Sequence, residues 1–217
     1  MNEENKDNSQ SQSCCKKETT CSCTYMCKWA FNKALSIVKD PVKAWDEIKG
    51  ENYTIVDLYK KYVLILAAIP AIGQLIQGIY NGRFPLGLAI VSYVITLASV
   101  WLSSFIMKYI APSFSGSNDQ TTCMKLVAFS MTPAWLGGIF YLIPMSVLAY
   151  LLSLLCSLYS IYVLWQGITP IVNVPTEKRL VFLIVMVVVS IVISMILGAL
   201  LFPLILAGTM ASSPMMP

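Results

Sequence analysis

The sequence contains no histidine and few charged residues. Histidine is the commonest general base and a frequent metal ligand, so its absence excludes Ser-His and Cys-His catalytic pairs. Charged residues make up 12% of the 217 residues, whereas soluble domains contain roughly 25%. The C-terminal two thirds also lack paired carboxylates and a glycine-rich phosphate loop. We therefore expect a protein that is not an enzyme and that needs no cofactor.

The shortage of charge begins after Tyr62. Residues 1–62 hold 10 of the 15 basic and 9 of the 11 acidic residues. The 155 residues that follow hold only Arg83, Lys108, Asp119, Lys125, Glu177, Lys178 and Arg179. These charges leave four uncharged runs, 62–82, 84–107, 126–176 and 180–217. A helix needs about 20 residues to cross a bilayer, and each run is long enough for one crossing. A water-soluble globule is excluded for this part of the chain.

The uncharged runs predict an all-α membrane protein with five transmembrane helices. The 51-residue run is too long for one crossing, and Pro144 favours a break at 141–144. The predicted spans are Val63–Tyr80, Leu86–Met107, Leu126–Leu142, Met145–Gln166 and Leu180–Leu206. Alternatively, the third and fourth helices form a re-entrant hairpin, which would leave three full crossings.

The basic residues of the short loops predict the orientation. Lys49, Lys60 and Lys61, the 108–125 loop and the 167–179 loop fall on one side of a five-span chain. Because short cytoplasmic loops are enriched in Lys and Arg, we expect the N-terminus in the cytoplasm and the C-terminus on the opposite side. This asymmetry explains the net charge of +4 without a nucleic-acid partner.

Residues 1–25 are polar and predict a disordered tail, and 208–217 form a short second tail. The N-terminal stretch has no basic region followed by an apolar run, so it is not a cleavable signal peptide. Five cysteines lie in or beside it: Cys14, Cys15, Cys21, Cys23 and Cys27. Only the last two have the spacing of a zinc knuckle. A zinc or redox site, lipid attachment and a simple thiol-bearing tail are the three interpretations.

Residues 26–62 predict short amphipathic cytoplasmic helices ahead of the five-span domain, 63–207. The first has an apolar face formed by Trp29, Phe31, Ala34, Leu35 and Val38, with Lys28, Asn32, Lys33 and Lys39 on the remaining surface. The second begins at Asp40-Pro41, contains Val42, Ala44, Trp45 and Ile48, and ends near Gly50. Thr54-Ile-Val-Asp57 predicts a further helix that runs into the first span. The amphipathic helices either lie on the membrane surface or pack against the loops of the bundle.

None of the predicted spans contains an ionisable residue, which disfavours proton-coupled transport. Helix two instead carries a hydroxyl stripe at helical spacing, formed by Ser92, Thr96, Ser99 and Ser103. Small and hydroxyl-bearing faces usually serve helix packing. The alternative is a small channel or facilitator lined by this stripe.

Four segments together resemble the bacterial branch of the Yip family of Ypt/Rab-interacting membrane proteins, over about residues 40–207. They are Asp40–Ile48, Tyr109–Gly116, Lys125–Phe140 and Ser157–Gly167 with the loop that follows it. The residues that carry the resemblance are Pro41, Trp45, Pro112, Phe114, Gly116, Lys125, Pro133, Trp135, Gly138, Tyr159, Gly167, Pro175 and Lys178.

The resemblance implies five spans with a cytoplasmic N-terminus, in a bacterial inner membrane. It also implies a membrane organiser or adaptor that acts through helix–helix and protein–protein contacts, with the lipid bilayer, other membrane proteins or its own copies as partners. Eukaryotic relatives bind small GTPases, a partner that comes to this chain only by analogy. The cysteine-containing tail lies outside the family pattern.

Overall fold

The computed structural model describes residues 20–80, 86–143 and 145–211, with side chains described for 26–80, 86–143, 145 and 147–199. Within these ranges the chain is helical and contains no strand. Most of the predicted disordered tail and the last six residues lie outside the described part.

Eight helices follow one another along the residues that the structure describes. Two precede the membrane domain, α1 (Thr20–Lys39) and α2 (Pro41–Gly50). The first two spans are α3 (Ile55–Tyr80) and α4 (Leu86–Ile110), and a 3₁₀ turn, Ala111–Phe114, follows α4. The third span consists of α5 (Gln120–Ser130), α6 (Thr132–Gly137) and a 3₁₀ segment, Gly138–Leu142. The last two are α7 (Ser146–Val172) and α8 (Arg179–Ala211).

Five of these helical segments are long and apolar enough to cross a membrane, which confirms the predicted number. The predicted break at 141–144 is also confirmed, because the third span ends at Leu142 and α7 begins at Ser146. The third helical segment extends over 23 residues, Gln120–Leu142, which is a full crossing length. The protein is therefore a polytopic all-α membrane protein.

The helix predicted at Thr54–Asp57 runs into the first span, as expected: α3 begins at Ile55 and contains a π-helical turn at Tyr59–Val63. The third span, in contrast, begins at Gln120 rather than at the predicted Leu126. Lys125 consequently lies inside a helix. A lysine is compatible with a span end when its ammonium group reaches a polar partner, as Lys125 does here.

The third span is broken rather than continuous. The helix is interrupted at Met131, between α5 and α6. Pro133 explains this interruption, because it has no N–H for the carbonyl four residues earlier and its ring crowds that turn. The Ala134 N–H instead donates a hydrogen bond to Ser160 Oγ of the neighbouring helix α7 over 2.9 Å.

One end of the bundle, the basic end, carries α1, α2 and the loops 115–119 and 173–178. It collects Lys49, Lys60, Lys61, Lys125 and Lys178. α1 and α2, together called the platform, pack on the bundle at this end, and the contacts of α2 with α7 are the most extensive that the platform makes with the bundle. This arrangement agrees with the predicted alternative in which the amphipathic helices pack against the bundle.

The buried face of α1 differs from the predicted face. Ala30, Lys33, Ala34 and Ile37 are buried, whereas Phe31 is 48% exposed. Two alanines four residues apart allow close approach of helix backbones, so the larger aromatic side chain lies outside. In α2 the predicted core residues Ala44, Trp45 and Ile48 are buried, but Val42 is 53% exposed and Pro41 takes its place.

Candidate functional site

The Trp45 side chain fixes α2 to the membrane spans. Its indole ring lies directly over Gly167, where an added Cβ would come 2.6 Å from Trp45 and from Leu126. The indole Nε1 donates a hydrogen bond to the Val163 carbonyl over 3.0 Å. Phe129 meets the ring edge-on, with 6.3 Å between centroids. We call this slot, formed by Leu126, Phe129, Val163 and Gly167, the seat; it requires glycine at 167 because the ring approaches the helix backbone.

The ends of both platform helices are held by side chains of the spans. Tyr159 of α7 donates a hydrogen bond to the Val38 carbonyl, in the last turn of α1, over 2.9 Å. Lys125 of α5 donates to the Glu51 carbonyl, just after α2, over 2.7 Å. Helix ends leave carbonyl groups without intrahelical partners, so these two bonds satisfy acceptors while they join the platform to the bundle.

Local sequence fixes the turn between the two helices. Asp40 is the N-cap of α2 and accepts from the Lys43 backbone N–H over 3.3 Å, with Pro41 in the first turn. The hydrogen bond and ion pair with Lys43 hold the pKa of the Asp40 carboxyl below its ordinary value. α2 ends at Gly50, as predicted.

A lysine that the sequence assigned to the solvent face lies inside the platform. Lys33 is only 8% exposed, and its ammonium group contacts Glu47 at 3.3 Å and Glu51 at 3.0 Å. Burial of an unpaired ammonium group would be costly, so the two carboxylates are what makes this position tenable. The signal in the sequence was the spacing of Lys33 with Ala30, Ala34 and Ile37, which places it on the buried face.

The aromatic core beneath the platform was not predicted. Tyr62 is fully buried, shares a 2.6 Å hydrogen bond with Thr132, and packs on Phe129 at 4.6 Å between centroids. Trp29 and Tyr53 complete this cluster. Its members come from α1, the loop after α2 and two spans, so no local pattern of residues identifies it.

The motif residues of the 108–119 and 173–178 loops form a second group at the basic end. Gly116 packs against Val172 and Val174, which leave no room for a Cβ. The adjacent Ser117 N–H donates to the Val172 carbonyl over 2.7 Å. Phe114 meets Phe182 edge-on at 5.5 Å.

Lys178 and the two loop prolines belong to the same group. The Lys178 ammonium donates to Ser115 Oγ over 3.3 Å, and its backbone N–H donates to the Pro175 carbonyl over 3.0 Å. Pro112 lies in the first turn of the 3₁₀ segment that precedes Gly116. These contacts hold the two loops together and thereby align the ends of α4, α7 and α8.

The remaining motif residues, Pro133, Trp135 and Gly138, follow the interruption in the third span. All three are buried. Gly138 lies against Pro70 of α3, and an added Cβ would come 2.5 Å from the Pro70 Cα. Gly138 thereby holds the first and third spans close together at their crossing.

The cysteines do not form a metal cluster in the part of the chain that the structure describes. No group of three or more His, Cys, Asp or Glu side chains converges there. Cys14 and Cys15 lie outside the described residues, and Cys21 and Cys23 lie in α1 without described side chains. Cys27 is exposed.

The hydroxyl stripe of α4 is largely engaged within its own helix. Ser92, Thr96 and Ser99 donate to the carbonyls of Ala89, Ser92 and Ile95 over 2.8–3.0 Å. Ser103 is the one member of the stripe that borders the cavity between the spans. The stripe therefore does not form a continuous polar lining in the described structure.

The comparisons with known proteins agree with this architecture. The model of the Yip1 domain matches residues 35–198, which is 164 of 217 residues. The inner membrane protein YohC of Escherichia coli K12 is 28% identical over 155 residues, covering 65% of this chain and 80% of that protein. The same protein from E. coli O6:H1 matches with the same identity and coverage. No solved structure matches the chain. The matched range begins in α1 and contains α2, the seat and all the motif residues. The chain therefore belongs to the Yip1 domain family.

Proposed function

We propose that this protein is a non-enzymatic organiser or adaptor of a bacterial inner membrane, and that its platform is a docking surface for other proteins. The observation that carries the proposal is the way the platform is held. Trp45, Tyr159 and Lys125 join α1 and α2 to the spans. A surface that is fixed before a partner arrives loses less conformational entropy on binding.

The outer face of the platform has the character of a contact surface. Phe31 and Val42 are large, apolar and about half exposed, and Lys28, Lys39 and Lys43 are exposed on the same two helices. Apolar residues within a polar rim are typical of protein interfaces. The partner is therefore a protein on the side of the basic end, either another membrane protein or a second copy of this chain. A small GTPase is supported only by analogy with eukaryotic relatives.

Photo-crosslinking tests the docking role. A photoreactive residue at position 31 or 42, in native membranes, should give discrete protein adducts that mass spectrometry identifies. Leu154 is similarly exposed but lies on the lipid-facing side of α7, so the same residue there is the matched control. Equal adduct patterns at the platform and control positions would refute the docking role.

The location and orientation are part of the proposal. They are supported by the basic end and by the name of the E. coli relative, an inner membrane protein. Reporter fusions after Ser117 and Thr176 should give cytoplasmic activity, and fusions after Asn81 and Met216 should report the opposite side. A cytoplasmic C-terminus would contradict the five-span orientation.

The alternative function, a small channel along the α4 stripe, makes an opposite prediction. If it were correct, proteoliposomes would conduct solute, and bulky replacements of Thr96 and Ser99 would abolish the flux. We expect no flux above that of empty liposomes, since these hydroxyls are bonded to their own helix.

A further inference from the structure

A cavity of about 510 Å³ lies between the spans, away from the platform. It is bordered by α4, by α5 and the turn after it, and by α7 and α8. Its lining is mostly apolar, with methionines and isolated serine hydroxyls. This volume is in the range of small-molecule sites, which are likewise apolar with few polar groups.

The cavity lies within the hydrocarbon depth of the membrane. Its lining residues on α8 extend from Met186 to Met195, and α8 begins at Arg179. At 1.5 Å per residue these positions lie roughly 10–24 Å from the basic end of the helix. Because the hydrocarbon layer is about 30 Å thick and excludes water, the space is available to apolar molecules of the bilayer.

The cavity is open on one side and closed on the others. Its rim consists of exposed residues on α7 and α8, among them Ser157, Ile191 and Met195. Its floor consists of buried residues, among them Met107 and Met186. The opening therefore lies between α7 and α8 and faces the surrounding lipid rather than either aqueous side.

One hydroxyl in the floor differs from the others. Ser103 is 2% exposed and borders the cavity, and no hydrogen bond of its hydroxyl is found among the described residues. The other lining serines differ: Ser130, Ser157, Ser160, Ser190 and Ser194 donate to carbonyls of their own helices. A hydroxyl that is not engaged within its own helix is available to donate to an acceptor of a molecule in the cavity.

We propose that this cavity is a binding site for one acyl chain of a bilayer phospholipid. The chain enters between α7 and α8 and lies on Met186 of the floor. Ser103 donates to an ester carbonyl oxygen of the same lipid. Ser103 lies seven residues from the end of α4 at Ile110, about 10 Å along the axis, so the ester end lies toward the basic end and the chain extends toward the membrane centre.

Acyl-chain photolabelling tests this site in the full-length protein. The protein is reconstituted with a phosphatidylethanolamine that carries a diazirine in one acyl chain, irradiated, and digested for peptide mapping. Labels are expected on Met186, which lipids on the outer surface do not reach because it is buried. Labels restricted to exposed surface residues would overturn the proposal, as would floor crosslinks to another protein. Labelling of the floor by a diazirine fatty acid but not by the phospholipid would also overturn it.

Two kinds of variant separate the opening from the hydroxyl. Filling the opening with Ser157→Leu and Ser194→Leu together should lower floor labelling about tenfold relative to surface labelling. Ala199→Leu, an exposed position on α8 outside the lining, should leave the ratio unchanged. Ser103→Ala should lower lipid retention in native mass spectrometry, whereas Ser99→Ala, whose hydroxyl is bonded within α4, should not. Equal effects of each variant and its control would contradict the site. The wild-type labelling pattern is decisive even where a variant folds poorly.

Discussion

Replacement of Trp45 by alanine should release α2 from the seat without unfolding the spans. The side chain is 1% exposed, and truncation of a buried tryptophan costs about 3–5 kcal/mol. This includes the bond to Val163, which on its own contributes about 1 kcal/mol. Trp45→Phe keeps most of the packing but loses this bond. It should therefore cost about 1 kcal/mol for the bond, plus the packing energy lost with the smaller ring. Val42→Ala, on the exposed face of the same helix, should cost less than about 0.5 kcal/mol.

Hydrogen exchange of residues 41–50, followed by mass spectrometry in lipid nanodiscs, measures this release. Since about 1.4 kcal/mol is a factor of ten, Trp45→Ala should lower the protection of α2 by about 10² to 10³, unless global opening limits it first. The spans should keep their protection. Gly167→Ala should also loosen α2, because the new methyl group would meet the indole ring. Combined with Trp45→Ala it should cost less than the sum of the two changes. Unchanged protection in Trp45→Ala, or strict additivity with Gly167→Ala, would refute the role of the seat.

Three further predictions concern separate contacts. Gly138→Ala should lower the melting temperature, because the new Cβ would collide with the backbone of α3. The control Gly198→Ala should be neutral or stabilising, since nothing lies within 4 Å of a Cβ there and alanine favours the helix. Tyr159→Phe removes the bond to the end of α1 and should lower platform protection by about 1 kcal/mol, and an unchanged rate of exchange would contradict this. Partial burial raises the pKa of Asp119, but the hydrogen bonds from Thr122 outweigh this effect and hold the pKa below the ordinary value. The Asp119 carboxylate therefore contributes its full stabilisation above pH about 4. This stabilisation is lost as the pH falls through the lower pKa of the folded state. Asp119→Asn should make the melting temperature depend less on pH in this acid range.

The number and approximate extent of the spans were predictable because their cause is local. A run without charge either enters hydrocarbon or does not, and the seven late charges mark where each run stops. The same reasoning placed the start of the third span too late, at Leu126 rather than at Gln120, because it treated Lys125 as a boundary. Lys125 shows why this fails: its partner, the Glu51 carbonyl, is 74 residues away in the sequence.

The seat and the buried face of α1 depend on tertiary contacts. Trp45 and Gly167 were recognised as motif residues, but nothing local indicates that the ring of one lies over the backbone of the other. In α1 the larger apolar residues were assigned inward, whereas close packing selected Ala30 and Ala34 and left Phe31 outside. The interruption at Met131 is different, since Pro133 was a sufficient local signal for it.

The most direct test of the docking role combines the crosslinker with the seat. A photoreactive residue at position 31, in native membranes, is compared in the wild-type protein and in Trp45→Ala at equal expression. The account predicts discrete protein adducts in the wild type and a severalfold lower yield when the platform is released. Absence of protein adducts in the wild type, or an equal yield in both proteins, would contradict a fixed platform that binds a partner.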